Sequence, residues 1–535
     1  MAAIASVRRN LVVAACLSLL LVGFWCIGSP FDMERSGMAI PSQTSQAEQV
    51  AKDDMLPPPP LSKRPGTPVS GPKTSRLHFL IPASQSNLQF CYNLASAGAN
   101  RYPIPTLLGW NGEGEFDAAV THLAKLRALK NYLDSLNAVE EADDLVMVVD
   151  GYDIIHQLPP EVIIERYFEV AAKANAHLAQ RMGLPVKYIL SRGMQQSVFF
   201  GPDKVCWPPD ESAARCWAAP DSTLGKDSFG PSRGVDDIFT TDPRWLNSGT
   251  IIGPVADLTK VINAVMREIS TTYDPRFWQA NSDQYYLSNI WGRQEYWRNQ
   301  TFVGKSEALE PSPTVERIIP EKETDNQETE LHMAIEYESS LFQTKAGNEL
   351  YLGYMQYNLA DQSANVNIDL FGKGQSFRPY PIRMPDNVRT ALINLYNSVP
   401  DAHPGASAES WLQLAHLGTN FVTKHIYGLW HCTGGKEALD GEYMKMWFYP
   451  FVKSLLRETV KSWKRNDPMS TKLIDGRRWI AKRSFPKRGT SDDDNDAEEY
   501  GGAWSDENGE PFVTWKEMCG HHEGTLFWGQ QATGL

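Results

Sequence analysis

The chain has 535 residues, of which 42% are hydrophobic and 21% charged; this ordinary globular usage excludes whole-chain disorder and a polytopic membrane protein. Its 51 Lys and Arg against 64 Asp and Glu leave a net charge of −13, and with no basic stripe to neutralise phosphates, nucleic acid is excluded as a partner. The 11% aromatic content, with 16 Trp, favours extensive buried or ligand-facing aromatic surface.

From Asn10 to Phe31 no residue is charged, and as a helix this run would rise about 33 Å, enough for a bilayer core. Arg8 and Arg9 precede it while Asp32 and Glu34 follow, so the positive-inside bias predicts a single-pass type II anchor over 11–28, a cytosolic tail over 1–10 and a lumenal body. A cleaved signal peptide is the competing reading. Both send the body into the secretory pathway, which the sequon Asn299-Gln300-Thr301 fits. Of seven cysteines, Cys16 and Cys26 fall in the span. The remaining five cannot all pair; Cys206 and Cys216 close a short Trp/Pro-rich loop and are the expected disulfide.

Residues 29–74 are rich in Ser, Gln, Gly and Pro, including Pro57–Pro60, and read as an extended stem. A folded domain is expected over 75–470. Leu77–Pro82 reads as its first buried strand. From Asp117 to Asn137 the apolar residues Ala119, Leu123, Leu126, Leu129, Leu133 and Leu136 recur at steps of three and four, predicting an amphipathic helix with Asp117 as N-cap. Leu145–Val149 is short, β-branched and bounded by acids, which fits a central parallel strand. A helix is expected from Pro159-Pro160 to about Met182, and short strands at Lys187–Leu190 and Ser197–Phe200. This rhythm predicts an α/β open sheet. Residues 305–330 read as a surface excursion, and 471–535 as a C-terminal extension with an acidic tail around Asp492–Asp494.

In such a sheet, ligands bind beyond the carboxyl ends of the strands, and Leu145–Val149 runs into Asp150-Gly151-Tyr152-Asp153. Two carboxylates there call for a divalent cation with oxygen ligands, such as Mg²⁺ or Mn²⁺ shared with nucleotide phosphates. Taken alone, Asp-x-x-Asp also reads as a capped turn with one exposed acid.

Six ordered blocks over about 75–450 supply context: Val149–Asp153, Val205-Cys206-Trp207-Pro208, Trp245–Gly253, Ser282-Asp283-Gln284, Ser339–Gln343 and Trp430–Lys436. Together they resemble the glycosyltransferase domain of the procollagen lysyl hydroxylase family. That resemblance implies a GT-A fold, a Rossmann-like open sheet using a UDP-sugar with Mn²⁺ (or Mg²⁺). It makes Asp150, Asp153 and His431 the metal ligands, and places Trp110, Lys125, Tyr152, Gly434 and Lys436 on the nucleotide. It further implies Asn247 at the close of a buried strand facing sugar hydroxyls, and Asp283 as a base or hydroxyl ligand. Residues 345–425 are an insertion relative to the pattern, and the hydroxylase part of the family is expected to be absent.

The expected activity is transfer of a sugar, as by a hexosyltransferase, from a UDP-sugar to a hydroxyl of a protein or glycan acceptor in the Golgi or endoplasmic reticulum, with a homodimer left open. Two other classes stand beside it. One is a membrane-tethered, non-catalytic binder of UDP or glycans with the same fold; the other is a glycoside hydrolase, which needs two carboxylates about 5–9.5 Å apart across a sugar.

Overall fold

The computed structural model describes residues 71–232, 237–302, 315–322, 328–403, 405, 407–487 and 498–529. The expected anchor, nearly all of the stem, Asp492–Asp494 and much of the 305–330 excursion lie outside the described residues. Among the described residues no helix is long and apolar enough to cross a membrane.

The first part alternates strand and helix: β1 (Lys73–Pro82), α1 (Leu88–Ala99), β2 (Thr106–Leu108), α2 (Leu123–Asp134), β3 (Leu145–Val149), β4 (Ile154–His156), α3 (Pro160–Met182), α4 (Val186–Ser191), β5 (Val198–Asp203), β6 (Trp245–Pro254), α5 (Val255–Thr272) and α6 (Asp283–Phe302). Short strands dominate the second: β7 (Met333–Ile335), β8 (Phe342–Thr344), β9 (Leu352–Gln356), β10 (Ser363–Val366), β11 (Tyr380–Arg383), β12 (His416–Asn420), β13 (His425–Ile426) and β14 (Leu429–His431). Helix α7 (Val452–Arg465) and strands β15 (Arg477–Ala481), β16 (Gly502–Ser505) and β17 (Phe512–Thr514) follow.

Nine strands build one large sheet in the order β17-β16-β2-β1-β3-β6-β5-β7, with β15 also on β1. Five of its pairings are parallel (β1 with β2, β3 and β15; β2 with β16; β5 with β7) and three antiparallel, two of them flanking β6. This is an α/β arrangement compatible with a Rossmann-like fold. Alternation along the central strands splits the core: Leu77, Phe79, Leu145, Met147 and Val149 pack on one face with Phe90, Ile163 and Leu455. Leu80, Val146 and Val148 pack on the other with Leu126, Val261 and Leu287. Helices thus cover both faces, and β3 is buried throughout.

Several expectations change. The helix expected from Asp117 begins at Leu123; the Asp117 carboxylate does accept the Ala119 amide at 2.8 Å, but the turn it caps ends at Thr121, before the helix. Lys187–Leu190 is helical within α4, entered from Pro185, with only Ile189 buried; a four-residue apolar run carries no period that separates the two states. The strand expected at Ser197–Phe200 runs on to Asp203. Asn247 lies near the start of β6, not its close. Since β6 runs antiparallel to β3 with Val149 opposite Thr250, that start still lies beside the carboxyl end of β3.

The largest change is at the C-terminus. Of the expected extension, β15, β16 and β17 join the main sheet, and Cys519 is bonded to Cys91 of α1. The acidic run precedes a short local hairpin of four- and three-residue strands, Gly502–Ser505 with Phe512–Thr514, whose first strand then pairs with the distant β2. The expected Cys206–Cys216 bridge is present, leaving Cys432 as a buried free thiol. The 345–425 insertion forms the antiparallel sheet β13-β12-β9 and the hairpin β10–β11.

Candidate functional site

Asp150 follows the last residue of β3, and its amide donates to the Gly249 carbonyl of β6 at 2.8 Å. Three residues on, Asp153 enters β4. That strand pairs antiparallel with β14, setting His431 opposite Ile154, and the Cys432 amide donates to the Asp153 carbonyl at 2.8 Å. Backbone ladders alone therefore bring a residue 278 positions away beside Asp153, with His431 Nε2 3.2 Å from Asp153 Oδ2.

Ligand atoms of Asp150, Asp153 and His431 all lie within 4.8 Å of one another. Asp153 Oδ1 and His431 Nδ1 are buried without a hydrogen-bond partner, an uncompensated state that a bound cation would relieve at the carboxylate. Gly249 forms the floor. A Cβ there would stand 2.3 Å from His431 Cε1 and 2.7 Å from Asp150 Oδ2, so glycine is required for close approach. Three oxygen or nitrogen donors on rigid strand ends fit a hard or borderline divalent cation.

Two lysines balance these acids. Lys125 of α2, 7% exposed, contacts Asp150 Oδ1 at 2.7 Å and Asp283 Oδ2 at 3.0 Å and donates to the Ser248 carbonyl at 2.7 Å. Burial works against its ammonium form, but the two carboxylates outweigh burial and hold the lysine above its ordinary value. Burial likewise pushes the Asp283 and Asp153 carboxyls up; Lys125 overrides it at Asp283, His431 and Lys436 at Asp153, and both end below the usual carboxylate range. Lys436 reaches Asp153 Oδ2 at 2.5 Å and the Cys432 carbonyl at 2.6 Å, a turn that Gly434 enters at φ +76°. Three carboxylates thus face two ammonium groups.

Tyr152 and Trp110 flank Phe90, with ring centroids 6.4 Å and 5.6 Å from it. The Tyr152 hydroxyl accepts from the Ser84 and Gln85 amides, so its ring is held in place. The β16 side adds Asp506, which accepts the Gly109 amide at 2.7 Å next to Trp110. Asn247 donates from Nδ2 to Asp203 Oδ2 at 3.4 Å and accepts the Gly249 amide at 3.0 Å. All ten residues singled out in the sequence therefore belong to one region around the end of β3, though Asp283 is paired with Lys125 rather than left free.

Asp203 was missed. It ends β5, is half-buried, and its carboxyl is pushed up by burial, only partly countered by Asn247 and the Lys204 amide. The sequence signal was present, an acid closing a buried strand as Asp150 does, but it precedes the Cys-Trp-Pro loop that drew the reading. Near the rim, Trp207 and Trp278 meet edge to face at 5.5 Å and are 40% and 64% exposed.

A second group, His78, Glu141 and Asp144, also has geometry that could hold a metal ion. It sits at the opposite end of β3, and its charges are already matched: Arg76 contacts Asp144 at 3.3 Å and Lys482 contacts Glu141. These pairs close an ion network that ties the segment after β15 to the sheet. A His-x-carboxylate spacing suited to an Fe(II) triad occurs at His521-His522-Glu523; there Glu523 accepts the Trp515 indole N–H at 3.1 Å, and the trio is in neither cluster. No protein-family model matches this chain, and a search of curated proteins finds none that matches it.

Proposed function

We propose that the chain is a metal-dependent glycosyltransferase of GT-A type that moves a sugar from a UDP-sugar to a hydroxyl of a protein or glycan acceptor, held in the Golgi or endoplasmic reticulum membrane by its N-terminal anchor. The observation that carries this reading is the convergence of Asp150, Asp153 and His431 at the carboxyl end of a buried strand, with an orphaned carboxylate oxygen between them. Those three residues would hold Mn²⁺ or Mg²⁺, which when bound supplies a Lewis acid for the charge that builds on a departing diphosphate.

The chain's own groups account for the rest. Trp110 and Tyr152 offer aromatic surface to the base, and Lys436, 49% exposed, can leave Asp153 for a phosphate oxygen. Asn247 presents its amide to sugar hydroxyls. Asp283 holds Lys125 in place, whereas Asp203, half-buried and with its carboxyl pushed up by burial, is better poised to take the proton of an acceptor hydroxyl.

The test is UDP release by the full-length protein from a panel of UDP-sugars, with Mn²⁺ or with EDTA, beside Asp150→Ala/Asp153→Ala. Release from one donor, abolished by EDTA and by the double substitution, is expected. Metal-dependent UDP binding without release from any donor would support the non-catalytic binder, and EDTA-resistant activity the hydrolase.

A further inference from the structure

A cavity of about 420 Å³ lies at the far edge of the main sheet, between α3, the terminal strand β7, α6 and the loop 220–223. It shares no lining residue with the metal cluster. Its size falls in the range of roughly 300–1,000 Å³ usual for small-ligand sites.

Its wall holds four acids, Asp221, Glu295, Glu336 and Glu338, against Lys173, Arg181 and the exposed His177. Lys173 contacts Glu338 at 2.9 Å, Arg181 contacts Glu295 at 2.5 Å, and Asp221 contacts Arg244 at 3.2 Å. Glu336, 2% exposed, accepts the Ser340 and Leu341 amides at 3.1 Å. An ionic ligand that broke the Arg181–Glu295 pair would leave Glu295, 2% exposed, without that counter-ion, whereas the Lys173 and Asp221 pairs face solvent. A neutral ligand meets no such cost. The wall offers it the hydroxyls of Ser222, Thr223 and Tyr337 and the Gln196 amide, whose Nε2 is committed to the Ala174 carbonyl at 2.9 Å. Between these polar groups lie Val170, Leu178 and the half-buried Tyr337 ring. Apolar patches interleaved with hydroxyl and amide groups, and with carboxylates that accept from ring hydroxyls, complement the faces and edges of a sugar ring.

We propose that this cavity binds an uncharged carbohydrate, a mono- or disaccharide unit of a larger glycan, at a site separate from the metal cluster. The proposal does not rest on the transferase reading, since it concerns binding alone.

The test is titration of the full-length protein with lactose, maltose and methyl α-D-mannoside, followed by saturation-transfer NMR and calorimetry, with glucuronate and inorganic phosphate as charged probes. At least one neutral sugar is expected to bind, with affinity insensitive to added salt and unchanged by Asp153→Ala. Ala174→Phe, which fills the cavity from α3, should weaken it at least tenfold, and Tyr337→Phe severalfold. If Ala174→Phe fails to fold, Tyr337→Phe carries the comparison. Binding of none of the neutral sugars, tighter binding of a charged probe, loss of binding in Asp153→Ala, or retention of full affinity in the folded cavity variants would overturn the proposal.

Discussion

Lys125 decides the charge balance of the cleft, because one buried ammonium serves two carboxylates on different elements. Replacing it by Met would leave Asp283, 9% exposed, without its counter-ion; breaking such a pair costs about 3 kcal/mol. The same pair predicts a pH dependence. The Asp283 carboxyl is held below its ordinary value of 3.8, mainly by Lys125 acting against burial. Its contribution to stability is therefore present above pH 3.8 and lost as pH falls through the folded value. Thermal melts of Lys125→Met should show a lower midpoint at pH 7 and a shallower decline below pH 4 than the parent. Lys125 was legible in the sequence as a basic residue on the face of a helix. Its second partner was not, since nothing local links position 125 to position 283.

At the scale of elements, the site depends on β6 running antiparallel to β3, so that the start of one lies beside the end of the other. Gly249 is where they meet His431 and the Asp150 carboxylate. Gly249→Ala must displace either the His431 ring or the Asp150 carboxylate, and a displacement of about 1 Å at such a centre costs on the order of 100-fold in rate. UDP release should fall by that factor, while circular dichroism and the melting midpoint stay near the parent's. β6 is buried along nearly its whole length, and only the family resemblance, not a hydrophobic pattern, announces it as a strand. Asn247 is the third residue of β6 whichever way the strand runs, and the expectation that it closes the strand failed because the strand continues past it to Pro254. The strand expectation at Lys187–Leu190 failed for a different reason, since short apolar runs carry no period.

For the molecule as a whole, the C-terminal segment is part of the fold rather than an appendage. It supplies β16 and β17 to the sheet, Asp506 to the turn before Trp110, and Cys519 to a disulfide spanning 428 positions. Closing so long a loop restricts the unfolded chain strongly, and removing a native disulfide costs about 2–5 kcal/mol. Cys519→Ser should lower the urea midpoint accordingly, and the reductant sensitivity of the parent's midpoint should shrink in the variant. An unchanged midpoint would mean that the sheet pairing alone holds the segment.

The sequence by itself determined the features that local chemistry encodes. Hydrophobic period and β-branching marked β1, β3 and α3; the ten-residue spacing of two cysteines marked one disulfide; an acid pair after a buried strand marked the end of the sheet where Asp150, Asp153 and His431 gather. Tertiary structure alone decided what depends on contacts between distant positions. These are the pairing of β14 with β4 that brings His431 to Asp153, the lysine shared by Asp150 and Asp283, the place of Asp203, and the entry of the C-terminus into the sheet. Strand pairing and ion pairing are set by the balance of burial and desolvation over the whole packed chain, and no local window of sequence contains that balance.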